Sequence, residues 1–325
     1  MSQTADRAVV LERQLAGASA WLLPFLLDDA VTDILINGVQ SLYVERGGQL
    51  LPEPSPYREV GALSDLIERL LIPLGKRIDA AHPYVDGRLL DGSRFHVILP
   101  PVAVGGPFIS IRKLRRPEQG ISVSDFAPAE WATWLIEQVT RRRNILIAGG
   151  TGVGKTTLIS RLLDHIPESE RLAILEESLE IPVRHPHVVR LEARSASPDG
   201  KGEVGLRTLV RNTLRMRPDR VILGEVRGDE ALELLQIMNT GHAGTLCTLH
   251  ASGALDALRR LEGLALLAKG AEVPIRTLRD WIGSSVHEVV YLERIRGGRR
   301  VGEILSVRGL EGEVYRIVPR YRATP

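Results

Sequence analysis

The chain has 325 residues, of which 44% are hydrophobic, and its 42 basic and 40 acidic residues leave a formal net charge of +2. This length favours two globular domains and this apolar fraction suffices for buried cores, which disfavours an intrinsically disordered chain. A nearly balanced charge also disfavours a surface devoted to wrapping a polyanion such as DNA. Cys247 is the only cysteine, so an intrachain disulfide and a cysteine zinc cluster are excluded, and a reducing compartment is expected.

The start of the chain has no membrane-spanning pattern. Its longest apolar stretch, residues 21–27, is interrupted by Pro24 and is much shorter than the ~20 residues that a spanning helix needs. It also lacks the charged start, apolar middle and small-residue cleavage site of a signal peptide. We therefore expect a soluble cytoplasmic protein that reaches the membrane only through partners.

The first third of the chain predicts a small α+β domain over residues 1–115. Hydrophobic periodicity and turn signals, Asn37-Gly38 among them, predict these elements in chain order: helix 5–27, strands 34–36 and 42–44, helix 64–71, and strands 95–99 and 108–112. Residues 116–128, which include Pro117, Gly120 and Pro128, predict a linker.

Beyond the linker, helices and short apolar strands alternate. The predicted helices are 130–142, 156–165, 206–216 and 229–239, and the predicted strands are 144–148, 172–175, 188–191, 221–223 and 245–249. Such alternation favours a parallel sheet with helices on its faces. An arginine-rich segment, residues 294–300, could bind phosphate but is more typical of a hairpin tip.

A glycine-rich motif of the form G-x-x-x-x-G-K-[ST] lies between strand 144–148 and helix 156–165. Its residues and the threonine after it are our predicted nucleotide-binding set: Gly149, Gly150, Thr151, Gly152, Val153, Gly154, Lys155, Thr156 and Thr157. Glycines let backbone N–H groups turn toward phosphate oxygens, and a helix N-terminus favours negative charge. Lys155 is expected to neutralise the β- and γ-phosphates, and Thr156 to ligate Mg²⁺, so ATP and Mg²⁺ are the predicted ligands.

Acidic residues and a histidine end three other predicted strands. Glu225 ends the apolar segment 220–225, which contains the predicted strand 221–223. Glu176 and Glu177 follow strand 172–175, and His250 follows strand 245–249. At the carboxyl edge of a parallel sheet these side chains would lie near bound phosphates, with Glu225 reaching an attacking water or the metal. A solvated loop for the acids and a structural role for His250 remain alternatives.

Four segments together resemble the Walker A, Asp box, Walker B and His box of the type II/IV secretion ATPases: residues 149–156, 174–177, 221–225 and 241–250. Residues 211–220, which lead into 224–228, look most like the CpaF/TadA branch, which powers tight-adherence pili. The resemblance covers about residues 28–318. The chain departs from the pattern at Glu177, where the family usually has Asp.

The resemblance implies a RecA-like P-loop domain over residues 129–325, with C-terminal helices and strands, preceded by the smaller α+β domain. It also implies a hexameric homo-oligomer, docked at the inner membrane on a polytopic platform protein, with nucleotide held between the two domains. In such enzymes an arginine of the first domain approaches the nucleotide, and Arg112 matches it here. Arg227 is favoured among further candidate arginines, which are Arg190, Arg194, Arg207, Arg215 and Arg227.

In the predicted mechanism, Mg²⁺ bridges Thr156 and the phosphates while Glu176 and Glu225 polarise the attacking water. For Arg112 the alternative is a solvated charge run with Lys113, Arg115 and Arg116.

Pilus assembly is the first functional hypothesis, and a conjugative or effector-secreting type IV system, or a type II secretion system, is the closest competitor. The single cysteine argues against the type II assembly enzymes that carry a tetracysteine zinc module. A nucleic-acid translocase is disfavoured because the chain has only 14 aromatic residues and almost no net charge, so no nucleic-acid partner is expected. A nucleotide-binding regulator without turnover is a third alternative.

Overall fold

The computed structural model describes residues 3–58, 60–114, 120–194, 196, 201–268, 273–296 and 298–324. Contacts divide the chain into two compact units, one of Met1–Arg116 with Ser197–Lys201 and one of Pro117–Ala196 with Gly202–Pro325. The predicted bounds 1–115, 116–128 and 129–325 stay a prediction. Arg115, Arg116 and Pro117 of the predicted charge run and linker, and Gly297 of the arginine-rich segment, lie outside the described residues.

The N-terminal unit is built on an antiparallel sheet. Its helices are α1 (Gln3–Gln14), α2 (Leu23–Leu27) and α3 (Val60–Leu71), and its strands are β1 (Val31–Asn37), β2 (Ser41–Arg46), β3 (Gln49–Glu53), β4 (Tyr84–Arg88), β5 (Arg94–Ile98) and β6 (Phe108–Arg112). The strand order is β3-β2-β1-β6-β5-β4. The outer strands β3 and β4 were not predicted, because edge strands have a weaker apolar pattern than central ones.

The predicted single helix over residues 5–27 is wrong. Helix α1 ends at Gln14, a 3₁₀-helix covers Gly17–Leu22, and α2 follows as a separate short helix. Gly17 has φ +75°, in the left-handed region that a continuous right-handed helix cannot contain. Pro24 then lies in the first turn of α2, the one part of a helix that tolerates proline well.

The sheet places Arg112 at the end of β6, next to the central strand β1. Arg112 and Asp33 are direct cross-strand partners, and the Arg112 Nε donates to Asp33 Oδ1 at 2.8 Å. Lys113, in contrast, is 6% exposed and its ammonium donates to the carbonyls of Phe25 and Asp28. Burial lowers the pKa of Lys113 to about 8, so at this residue the alternative of a solvated charge run is wrong.

The second unit contains the larger sheet. Its helices are α4 (Ala129–Thr140), α5 (Lys155–Leu163), α6 (Leu206–Thr213), α7 (Glu230–Asn239), α8 (Ala254–Leu266) and α9 (Ile275–Ser285); its strands are β7 (Ile145–Gly149), β8 (Leu172–Glu176), β9 (Val188–Glu192), β10 (Arg220–Val226), β11 (Leu246–Leu249), β12 (Glu288–Ile295), β13 (Gly298–Glu311) and β14 (Val314–Arg322). Helices α8 and α9 and the last three strands lie beyond the elements predicted individually.

The strand order in this sheet is β14-β13-β12-β7-β11-β10-β8-β9. The strands from β12 to β9 pair in parallel, and β13 and β14 extend the sheet as antiparallel strands. This mostly parallel, RecA-like sheet beside a smaller domain with an antiparallel sheet confirms the predicted fold class. No helix of the described ranges combines the length and apolar character needed to cross a bilayer.

Both faces of the larger sheet are covered, because the side chains of its central strands alternate between two hydrophobic cores. In β7, Ile145 and Ile147 belong to the core that includes Leu158 of α5, whereas Leu146 belongs to the core that includes Leu235 of α7. All of these side chains are fully buried. The parallel strands between the two cores therefore deliver their carboxyl ends to a single, firmly held edge.

Arg220, the first residue of β10, is a buried cation that ties the opposite edge of the sheet together. Its guanidinium is fully buried, forms a two-point pair with Glu170 (Nε to Oε2, 2.6 Å; Nη2 to Oε1, 3.1 Å) and donates to the carbonyl of Val139. Arg220 also holds the pKa of Glu170 below its usual value. Without Arg220, the largely buried Glu170 would lose this two-point pair and keep only the half-exposed Arg142, whose Nη2 lies 3.1 Å from its Oε2.

We expect Arg220→Ala to lower the free energy of unfolding by about 3 kcal/mol or more, because it leaves Glu170 without its main partner. The matched control is Arg141→Ala, whose partner Glu137 lies 3.5 Å away, both side chains being more than half exposed; it should change stability by less than about 0.5 kcal/mol. Urea unfolding of both variants measures the difference. Equal stability of the two variants would contradict a structural role for Arg220.

Candidate nucleotide-binding site

The predicted phosphate loop lies where the sequence placed it, between the end of β7 and the start of α5. Gly149 closes the strand, Gly154 is the N-cap residue of the helix, and Lys155 is the first helical residue. Gly154 has no side chain with which to cap the first turn. The N–H groups at the start of α5 are therefore left to a ligand, and the partial positive charge of the helix end favours an anionic one.

Two glycines of the loop cannot be replaced without strain. Gly149 has φ +149°, and a Cβ there would lie 2.5 Å from the carbonyl oxygen of Leu292. Gly154 has φ +93°, and a Cβ there would lie 3.0 Å from the ring of Phe126. Both the turn and the close approach of neighbouring groups require glycine at these positions.

Lys155 spans the loop that it follows. Its ammonium donates to the carbonyls of Gly149 at 2.9 Å and Gly150 at 2.8 Å, and the side chain is buried. Burial lowers the pKa of Lys155, while the negative charge of Glu225 acts in the opposite direction. Glu225 is thus near enough to Lys155 for its charge to act on the ammonium.

Glu225, in the last part of β10, is held by a chain of charges. Its Oε2 accepts a hydrogen bond from Nη2 of Arg227 at 2.7 Å, and Nη1 of the same arginine donates to Oε2 of Glu177 at 2.6 Å. These contacts raise the pKa of Arg227, with the hydrogen bond to Glu225 as the largest cause. Arg227 thus links Glu177, which follows β8, to Glu225, near the end of the neighbouring strand β10.

The other oxygen of Glu225 faces His250. Nε2 of His250 lies 2.8 Å from Oε1 of Glu225, but Oε1 is buried and accepts no well-aligned hydrogen bond from the described residues. Burial lowers the pKa of His250, and so do the nearby charges of Lys155, Arg227 and Arg260, whereas Glu225 raises it. Burial and the neighbouring cations thus favour the neutral imidazole, and Nε2 of His250 is the group that faces the buried Oε1.

Glu176 and Glu177 have different surroundings, because consecutive residues at a strand end point to opposite sides. Glu176 is 3% exposed: its Oε1 accepts the N–H groups of Glu180 and Ile181 at 2.7 Å each, and its Oε2 accepts Nη2 of Arg190 at 3.0 Å. Burial raises the pKa of Glu176, against these hydrogen bonds. Glu177 is exposed and pairs with Arg227. Glu176 thus holds the loop that follows β8, and Glu177 faces Glu225 through Arg227.

The other candidate arginines lie apart from this cluster. Within the described part of the chain, Arg194 donates to the carbonyl of Gly202, Arg207 pairs with Asp229 and Glu233, and Arg215 lies in a 3₁₀ turn before the amino end of β10. Of that set, Arg227 and Arg190 contact the acidic residues of the site. Arg112 belongs to the other unit, where it pairs with Asp33.

Sequence reasoning missed Glu230. This residue is 5% exposed at the start of α7, and its Oε1 accepts the N–H groups of Arg227 at 2.6 Å and Gly228 at 2.9 Å. It therefore fixes the backbone from which the Arg227 side chain extends. An acid four residues after a strand end, at the start of a helix, is a detectable signal, but it does not distinguish an ordinary helix start from a residue that supports a site.

The residues present fit a magnesium nucleotide. The loop supplies glycines, a helix start and Lys155 for phosphates, and Thr156 is half-buried in the first turn of α5, where its hydroxyl could ligate a metal. No cluster of three or more His, Cys, Asp or Glu side chains suited to a metal occurs within the described ranges. Magnesium in such sites takes most of its ligands from phosphates and water, so a single protein hydroxyl such as that of Thr156 fits the ion.

Comparisons with known proteins agree on the family of this chain. Residues 17–294 match the family described as Type II/IV secretion system protein. A Mycobacterium tuberculosis (strain H37Rv) protein named for conjugal transfer is 38% identical over 315 residues, which are 94% of this chain and 88% of the relative. Conjugal transfer protein TrbB of Rhizobium radiobacter is 35% identical over 315 residues, 94% of this chain and 93% of TrbB.

A solved structure gives the same result for the fold. The VirB11 ATPase of the Brucella suis type IV secretion system, crystallised with sulphate, superposes with a TM-score of 0.50 and 25% identity. The superposition covers 93% of this chain and 96% of VirB11. The fold found here is therefore shared with an ATPase.

The charges around His250 predict how its imidazole titrates. We expect its pKa to lie below the usual 6.5 and to fall further in Glu225→Gln, because Glu225 is the anion that raises it. Histidine-ring NMR signals followed from neutral to acidic pH measure this, with His250→Gln to assign the resonance. Glu137→Gln, an exposed acid on α4, serves as the control and should leave the titration unchanged. A pKa that rises in Glu225→Gln would exclude the observed contact.

Proposed function

Because the chain belongs to the type II/IV secretion system protein family, we propose that it is the ATPase motor of a conjugative type IV secretion machine. The family and the similar VirB11 enzyme are ATPases, and the chain is an ATP hydrolase like them. The observation that carries this conclusion is a formed phosphate loop, spanned by Lys155, at the same sheet edge as Glu225, a carboxylate in contact with Arg227 and His250. Together these groups supply a phosphate grip and a base.

Conjugal transfer is better supported than pilus assembly, which the sequence alone had favoured. Both relatives reported above are named for conjugal transfer, and each is covered over 88% or more of its length. The resemblance of residues 211–228 to the CpaF/TadA branch has no such support. Pilus assembly is therefore the second candidate.

The site residues divide into two tasks. Lys155, the loop backbone and the first turn of α5 hold the phosphates, and Thr156 ligates the magnesium that accompanies the nucleotide. Glu225 accepts the proton of the attacking water. Arg227 and the neutral imidazole of His250 fix the orientation of this carboxylate.

In this mechanism the roles of Glu176 and Glu177 differ. Glu176 has three donors on its two oxygens, so it positions the loop after β8. Glu177 balances the charge of Arg227 and keeps that guanidinium on Glu225. The equal partnership of Glu176 with Glu225 in polarising water, which the sequence suggested, is therefore replaced by a positioning role for Glu176.

The assembly remains the one implied by the family resemblance: a hexameric ring, docked from the cytoplasm on an inner-membrane platform protein. In that assembly Arg112 of the N-terminal unit approaches the nucleotide when the domains close. The guanidinium of Arg112 is 64% exposed, and its Nε donates to Oδ1 of Asp33 at 2.8 Å, so the side chain lies at the surface of its unit, where a ligand could meet it. Closure would then couple hydrolysis to motion.

We expect Glu225→Ala to lower ATP turnover by about 10²–10⁴-fold while nucleotide binding is retained, because the base is lost and the phosphate grip is not. Lys155→Ala should weaken both binding and turnover. Steady-state phosphate release and direct nucleotide titration measure the two effects. Glu137→Ala, which removes an exposed acid of α4, is the matched control. Near-normal turnover in Glu225→Ala would remove the proposed base.

We expect Arg112→Gln to reduce turnover by about 10³-fold or more with ADP affinity nearly unchanged, because an arginine of this kind acts on the transferring phosphoryl group. Arg77→Gln, an exposed arginine of the same unit, should behave as wild type. Both are assayed at protein concentrations at which light scattering reports the size of the assembly. Wild-type turnover in an assembled Arg112→Gln protein would rule out the domain-closure mechanism.

A further inference from the structure

The hairpin of β12 and β13 carries arginines beside the phosphate loop that the mechanism above does not use. Strand β12 pairs in parallel with β7 as far as Leu292 and Gly149, and then continues to Ile295. The contact at the end of this pairing is tight, since a Cβ on Gly149 would lie 2.5 Å from the carbonyl oxygen of Leu292. The β12–β13 hairpin therefore begins directly beside the first glycine of the phosphate loop.

Arg299, near the start of β13, brings its side chain back over the last glycine of the loop. A Cβ on Gly154 would lie 2.7 Å from Cδ and 3.0 Å from Nε of Arg299. The guanidinium carbon lies 5.3 Å from the ring centroid of Phe126, within the range of a cation–π contact. Phe126 thus holds the guanidinium next to Gly154, the residue whose backbone begins the anion-binding helix.

Charge along the hairpin differs between its two faces. Glu293 and Arg300 are direct cross-strand partners of opposite charge, and Nε of Arg300 donates to Oε1 of Glu293 at 2.8 Å. The next pair, Arg294 and Arg299, places two like charges opposite each other on the other face. Arg299 therefore adds a positive charge beside the positive end of α5, where a bound anion is favoured.

We propose that Arg299 is a nucleotide-binding residue, which donates hydrogen bonds from its guanidinium to the phosphates of the nucleotide held by the loop. This rests on the proposed function, because it assumes that the loop binds a nucleotide. A guanidinium offers a planar fork that phosphate oxygens can accept at two points, whereas Lys155 acts as a point charge. The backbone around Gly154 belongs to the part of such loops that holds the α- and β-phosphates. Arg299 therefore contacts phosphates that ADP and ATP share.

The test compares ADP binding to the full-length chain in wild type, Arg299→Gln, Arg299→Lys and Arg300→Gln. Arg300→Gln removes the same charge one residue further along, on the opposite face, and is the matched control. We expect Arg299→Gln to weaken ADP binding about tenfold or more, Arg299→Lys to weaken it less, and Arg300→Gln to stay within about twofold of wild type. Inorganic tripolyphosphate, titrated as a competitor, should lose affinity by the same factor in Arg299→Gln.

Each outcome decides the matter. Equal ADP affinity in wild type and Arg299→Gln overturns the proposal, and so does a loss that affects ADP but not tripolyphosphate, since Arg299 would then contact the base or sugar. Lys155→Ala separates this inference from the function on which it rests. If wild type binds ADP no better than Lys155→Ala, the proposed function has failed; if Lys155→Ala loses binding and Arg299→Gln keeps it, only the role of Arg299 has failed. Should Arg299→Gln not fold, as judged by its thermal midpoint without nucleotide, the Arg299→Lys titration decides by the same criteria.

Discussion

Parallel pairing of β7 with β11 on one side and β12 on the other is the interaction on which the rest of the site depends. It fixes where β7 ends, and so where the phosphate loop begins. It also places Leu292 against Gly149. His250, the residue after β11, lies at the same edge of the sheet. Because both faces of these strands are buried, the edge has little freedom to shift. The groups that meet there are therefore held before any ligand arrives, which is what catalysis by preorganised charges requires.

At this edge of the sheet, the candidate site contains groups of both charges. Lys155, Arg227 and the positive end of α5 supply positive charge, and Glu177 and Glu225 supply negative charge. The neutral His250 contacts Glu225 without adding a cation to the balance. A bound triphosphate would add several negative charges near Lys155, so the distribution of contacts around Arg227 is the part most sensitive to its arrival. Arg227 thus connects nucleotide binding to the orientation of the proposed base.

The N-terminal unit contributes by a different principle. Its antiparallel sheet keeps Arg112 exposed at the end of β6, whereas the neighbouring Lys113 is buried and serves the structure of the unit. The alternation of a strand accounts for this division between two consecutive cations. A residue that is to act on a ligand held by another unit must remain outside the local core, and Arg112 satisfies that condition. Its proposed role depends on domain closure rather than on the local fold.

Much of the fold and the chemistry of the site could be predicted from the sequence, because these depend on local patterns. The phosphate loop, its strand and helix, and the acids after β8 and β10 are encoded by short motifs whose strand-end position follows from hydrophobic runs. The break between α1 and α2 and the edge strands β3 and β4 were missed, because their signals are weak or interrupted, and helices α8 and α9 were expected only as unlocated C-terminal helices.

Tertiary structure decided which side chains meet. Sequence could not distinguish Glu176 from Glu177, since only the pairing of β8 between β9 and β10 shows that the first is buried on backbone N–H groups and the second faces Arg227. Nor could it place Arg299 over Gly154, residues separated by most of the second unit and brought together by the register of β12 on β7. The physical reason is the same in both cases. A local pattern determines which element a residue belongs to, but the partners of its side chain are set by strand order and register, which arise from contacts between distant parts of the chain.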